Sequence, residues 1–161
     1  MVSIETYKDS YKADWNDFID SSKNSTFLFN RNFMDYHSDR FEDFSLMVYN
    51  KSELIALLPL NIIKNEVYSH QGLTYGGLIV KNNIKFQKFL ELFTQILKYL
   101  NKKSVDKLFI KQIPLIYNSN FNGELDYLSF MTGGNIYRRD IISVIDMQSS
   151  FKISKDRIQG Y

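Results

Sequence analysis

The sequence predicts a mixed α/β domain with a central mixed sheet flanked by helices. Three observations carry that prediction. Two apolar, β-rich runs, Phe44–Tyr49 and Leu54–Ile63, are separated by the turn residues Asn50–Ser52, as in a hairpin. The stretch Lys85–Lys102 repeats apolar residues at three- and four-residue intervals, which is the period of an amphipathic helix. A further β-rich segment, Val105–Lys111, follows that helix. A helix between two strands makes the right-handed crossover that joins parallel neighbours. At 161 residues the chain has the length of one domain, residues 1–161, since domains commonly run to roughly 100–200 residues.

The elements follow in order. Ala13–Ser21 is a short helix, with Trp15, Phe18 and Ile19 spaced to share one face. The polar run Ser21–Ser25 is a loop, and Phe27–Phe29 a short apolar segment. Asn30 caps a second helix, Arg31–Ser38, with Phe33, Met34 and His37 on one side. In the hairpin, the nearly unbroken apolar run Leu54–Ile63 reads as a strand covered on both faces. Pro59 lies inside it and implies a bulge or an edge, because proline cannot donate to the ladder. Lys64-Asn65-Glu66 makes another turn and Val67–His70 begins a third strand. After the long helix, whose C-terminal dipole suits Lys102 and Lys103, Gln112–Gly123 is irregular. Glu124–Met131 is a helix, Asn135–Met147 a long strand, and 154–161 the start of a further helix, truncated there.

Composition excludes several function classes. There is no cysteine, which removes disulfides, thiolate metal sites and cysteine nucleophiles, and fits a reducing compartment. The formal charge of +2 gives no support for a nucleic-acid tract or a membrane-adsorbing patch. The longest apolar stretch, Leu54–Leu60, is far short of the ~20 residues of a membrane span. The first residues lack the apolar core of a signal peptide, so a cytoplasmic location is expected. Two histidines, His37 and His70, without a spaced carboxylate cluster make no metal site. Neither a nucleophile elbow nor a P-loop spacing occurs.

Two segments carry chemistry. In SHQGLTYGGLIV, Ser69–Val80, Gly72, Gly76 and Gly77 permit positive φ or close backbone approach. His70, Gln71, Thr74 and Tyr75 then converge on a ligand, or else pack inside a strand-to-strand turn. His70 is the general-base candidate, because histidine titrates near neutrality. Arg138-Arg139-Asp140 interrupts an apolar strand, and alternation sends Arg138 and Asp140 to one face and Arg139 to the other. Arg138 serves either as an anion clamp or as half of an internal ion pair.

The segments Ser25–Leu46, Ile55–Ile62, Val67–Val80, Ile110–Tyr117 and Tyr137–Met147, taken in order, resemble the FemAB-like branch of the GNAT (GCN5-related N-acetyltransferase) superfamily. The YGGL element and the RRD segment are the more specific pieces. The resemblance covers the first of the two GNAT-like domains that such proteins carry. It implies the acyl-CoA N-acyltransferase fold and transfer of an acyl or aminoacyl group to an amine in cell-envelope or surface-polysaccharide work. It implies acyl-CoA as co-substrate, no covalently bound cofactor, and a small-molecule amine acceptor such as a nucleotide-sugar. It nominates Arg31, Tyr36, Gln71, Thr74, Tyr75, Lys111 and Arg138 as substrate-binding residues and His70 as the base.

GNAT enzymes hold the CoA pyrophosphate on a [QR]xxGx[GA] loop opening a helix. Gln71 has Thr74 where glycine is needed, and Arg157–Tyr161 supplies only RxxGx, so no complete loop is present and no cofactor-binding residue is named. That departure leaves two readings: an acyltransferase or its acceptor-binding half, and a non-catalytic binding or dimerisation domain with a homodimer partner or a second domain.

Overall fold

The computed structural model describes residues 2–117 and 123–145. It opens with β1 (Val2–Thr6), a short polar segment that composition does not announce. Its partner makes it a strand, the antiparallel register with β3 (Leu46–Asn50) running from Val2 opposite Asn50 to Thr6 opposite Leu46. Helix α1 (Lys12–Ser21) buries Trp15, Phe18 and Ile19, as their spacing requires. Phe27–Phe29 closes a single 3-10 turn. Asn30 caps α2 (Arg31–Met34), its Oδ1 accepting the Asn32 N–H at 2.9 Å. The α-helical part ends after one turn and tightens to 3-10 geometry over Asp35–His37. Met34 is buried but Phe33 is exposed, so they do not share a face, and the His37 side chain lies outside the described part.

The hairpin of β3 and β4 (Glu53–Leu58) forms as expected. Their alternating residues divide the core. Leu46, Val48, Ala56 and Leu58 pack with Phe89, Leu92, Ile96 and Leu100 of α3 (Phe86–Lys102). Met47, Leu57 and Ile79 pack with Trp15, Phe18, Ile19 and Phe29. This sheet is thus covered on both faces, and each of the buried apolar side chains of α3 contributes about 1.5–3 kcal/mol relative to exposure.

Leu54–Ile63 is not one strand. Pro59 lacks the N–H that would continue the ladder, so β4 stops at Leu58 and β5 (Asn61–Ile63) belongs to a second sheet. Ser45 stabilises the corner by accepting the Leu60 N–H on its hydroxyl at 3.1 Å. The first sheet has the order β1-β3-β4-β7, with β7 at Ile79–Val80. The second has the order β2-β5-β6-β8, where β2 is Glu42–Asp43, β6 Glu66–Tyr68 and β8 Lys107–Phe109. Strands β6 and β8 are parallel, and α3 makes the crossover between them. Helix α4 (Glu124–Met131) follows at the expected residues.

The expected strand at Asn135–Met147 is overturned for its described part. Residues 135–145 form no strand among the described residues, and Ile136, Ile141 and Val144 stand exposed. A β-rich composition becomes a strand only where an edge offers hydrogen bonds, and none is engaged here. Residues 146–147 and the helix expected at 154–161 lie outside the described residues.

Candidate functional site

The site is built where the two parallel strands of the second sheet part. From Glu66 opposite Lys107 to Tyr68 opposite Phe109 the ladder is regular. The Ser69 N–H still donates to the Phe109 carbonyl at 2.8 Å. Beyond that point the backbone of the first strand leaves. The Lys111 N–H donates to the Ser69 hydroxyl at 2.7 Å, and the Lys111 carbonyl accepts from the Gly76 N–H at 2.8 Å. Residues 70–75 therefore loop out of the sheet and Gly76 returns to it. Gly77 follows with φ +104°, a conformation that favours glycine.

The loop holds much of what the sequence nominates. His70 takes a left-handed backbone, φ +57°, and is 4% exposed, its ring meeting Phe41 at 5.6 Å. Gln71 is tied to Asn61 twice: its N–H donates to Asn61 Oδ1 at 2.7 Å, and Asn61 Nδ2 donates to its Oε1 at 3.0 Å. Thr74 faces solvent. Tyr75 is buried, donates its hydroxyl proton to Thr26 Oγ1 at 3.2 Å, and packs between Phe29 and Tyr117. Lys111 reaches across the opening and donates from Nζ to the Leu73 carbonyl. These five residues lie on or against one loop.

Arg31, Tyr36 and Arg138 are placed elsewhere. Arg31 is 1% exposed, its guanidinium 3.4 Å from the Tyr7 ring centroid and 4.1 Å from that of Trp15, with Asp43 and Asp35 as ion-pair partners. Sequence reasoning misses this burial because α2 is a single turn, too short for a period to mark its buried face. Tyr36 is exposed. Arg138 is exposed and pairs with Asp140 at 3.0 Å, so the two do share a face, though on no strand. The Asp140 carboxylate, chiefly through that hydrogen bond, raises the arginine above its usual range.

Burial pulls the Lys111 amine below the ordinary lysine range. In the window between its folded and unfolded values the unfolded chain binds more protons, so stability rises with pH there. Lys111→Met is expected to remove that rise, seen as a flatter dependence of the urea midpoint on pH just below the ordinary lysine range. An unchanged slope would show that the amine is as solvated as a surface lysine.

No family model and no curated protein matches the sequence. Solved structures do match in fold. One is the aminoglycoside N-acetyltransferase AAC(6')-Iy, in complex with the bisubstrate analogue CoA-S-monomethyl-acetylneamine, at TM-score 0.56 and 10% identity over 91% of this chain and 99% of that one. A GNAT family acetyltransferase from Staphylococcus aureus matches at TM-score 0.51 and 6% identity over 89% of this chain and 98% of that one. An aminoglycoside acetyltransferase from an uncultured soil sample matches at TM-score 0.51 and 10% identity over 96% of this chain and 99% of that one. The chain has the GNAT acyltransferase fold.

The residues at the parted strands do not fit a bound CoA. Helix α3 opens after Lys81-Asn82-Asn83-Ile84-Lys85, which contains no glycine to bring backbone amides against a pyrophosphate. Lys81 is occupied by Glu53. A Cβ added at Gly77 would meet Ile110 at 3.6 Å and Leu125 of α4 at 3.7 Å, so side chains already occupy the opening. The cavity that remains, lined by Gly76, Gly77, Phe89 and Leu125, is about 30 Å³. That is room for a water or two and not for a pantetheine arm.

Proposed function

We propose that this chain is the acceptor-binding domain of an N-acyltransferase whose acyl donor is held by another GNAT-fold domain. One observation carries the reading: the GNAT fold is kept while the cleft beside Gly77 is filled by Ile110 and Leu125. The resemblance to the first domain of FemAB-like proteins supports it, because that domain is associated with the acceptor.

The acceptor surface is the loop 70–75 with Lys111. Thr74 and the Gln71 amide present hydrogen-bonding groups to solvent, and Tyr75 with its Thr26 partner fixes the loop from beneath. Lys111 offers a cation at the loop's base, suited to the phosphate of a nucleotide-sugar amine. His70 is the base of this reading: it accepts the ammonium proton of an acceptor that enters past Phe41. Arg31 and Arg138 take no part. Cell-envelope or surface-polysaccharide biosynthesis is the setting in which such acceptors arise, with acyl-CoA or aminoacyl-tRNA as the donor.

Calorimetry tests the reading with two titrants. A nucleotide-sugar amine is expected to bind, about ten-fold more weakly to Lys111→Met. Acetyl-CoA is expected to give no heat. Saturable binding of acetyl-CoA to this chain, or amine binding that ignores Lys111→Met, would overturn it.

A further inference from the structure

At the opposite end of β4 from the glycine-rich loop lies a groove of about 410 Å³. Its volume falls within the ~300–1,000 Å³ of small-molecule sites. One wall is the α1 stripe Asp14, Asp17 and Phe18, residues three and four apart and therefore on one face. The other wall is the end of the hairpin, with Tyr49 and Leu54. Lys81 closes one end.

The two walls differ in kind. Phe18, Tyr49 and Leu54 give an apolar floor of two rings and an aliphatic chain. Asp14 and Asp17 stand above it, exposed, and neither has an ion-pair partner among the described residues. The groove's cation, Lys81, is neutralised by Glu53. The Tyr49 hydroxyl records the field: burial raises its pKa first, and the Glu5 and Asp14 carboxylates raise it further. The groove is thus apolar below and anionic above, with its lysine already engaged.

We propose that this groove binds a primary alkylammonium, with the alkyl chain on Phe18, Tyr49 and Leu54 and the ammonium between Asp14 and Asp17. Charge complementarity selects the sign, and the floor selects an amphipathic ligand over a bare inorganic cation. An ammonium over the Tyr49 or Phe18 ring gains a further cation–π contribution. The site is separate from the acceptor loop and does not depend on the function proposed for it.

The probe is n-hexylammonium, with hexanoate and 1-hexanol as controls, followed by amide chemical shifts on the whole chain. Hexylammonium is expected to shift Ser21, Tyr49, Leu54 and Lys81 saturably, and about ten-fold more weakly in the exposed double variant D14N/D17N. Added salt is expected to weaken it, and the two controls to bind more weakly than the amine. Equal affinity for hexanoate, equal affinity of D14N/D17N, or absence of saturable shifts would each overturn the proposal.

Discussion

Gly76→Ala is expected to cost about 3–4 kcal/mol of unfolding free energy, read as a fall in urea midpoint. The reason is local. A Cβ at this position would lie 2.8 Å from Ser69 Oγ and 2.9 Å from Ser69 Cβ, and closer still to the Ser69 carbonyl oxygen. A backbone oxygen cannot rotate out of the way as a side chain can. Gly76 is also pinned from the other side by its hydrogen bond to Lys111. Relief requires the parted strands to move, and with them the base of the loop. Gly123→Ala is the control: an added Cβ there meets nothing within 4 Å among the described residues, so its midpoint is expected to change by no more than ~0.5 kcal/mol. Equal midpoints for the two variants would remove the claim that Gly76 is sterically required.

Arg31→Ala is expected to lose about 3–5 kcal/mol, by the same measurement. The guanidinium fills the space between Tyr7 and Trp15 and answers the Asp43 and Asp35 carboxylates. Its removal leaves a hole between two rings and leaves both acids without their arginine, though Asp35 keeps Lys12 at 2.9 Å. Nε and Nη2 find no hydrogen-bond partner among the described residues, so the native arginine is itself incompletely satisfied. Arg31→Met should therefore retain part of the stability, because it keeps bulk against the rings and carries no unpaired donor. Arg31→Lys should not recover the native midpoint, since an ammonium cannot stack as a planar guanidinium does. A midpoint for Arg31→Ala within experimental error of the native one would show that the buried cation is dispensable.

The two helices α3 and α4 are legible in the sequence for different reasons. In α3, Phe86, Phe89, Leu90, Phe93, Leu97 and Leu100 repeat at helical spacing; Phe89, Phe93 and Leu100 are buried, while Phe86 and Leu90 stand exposed at the edge of the buried face. In α4 the segment sits between Gly123 and the Thr132-Gly133-Gly134 stretch, and it starts at the residue those breakers imply. Pro59 announces a break but not its outcome, because composition does not say that β5 will join another sheet. Strands β1, β2 and β7 are too short to carry a period and exist through their partners. Residues 135–145 show the converse, strong β composition with no strand among the described residues.

The same division holds at the site. The glycines between Ser69 and Leu78 mark the loop, and the structure brings His70, Gln71, Thr74, Tyr75 and Lys111 to it. What sequence could not give is distance. Lys111 lies 38 residues from the Leu73 carbonyl it contacts, and that proximity is a product of the crossover. Nor could it show Leu125 entering the opening beside Gly77, since that depends on how α4 docks.

The exposed run after α4 also bears on how the molecule behaves when concentrated. Ile141, Ile142, Val144 and Ile145 are exposed within five residues and sit in no strand among the described residues. Short stretches of this kind, rich in β-branched residues and free of proline, are templates for intermolecular β-stacking. Arg138, Arg139 and Asp140 stand directly before it. Charges flanking such a stretch act as gatekeepers, because stacking identical chains in register would pile like charge upon like charge. The triplet is then a guard against self-association.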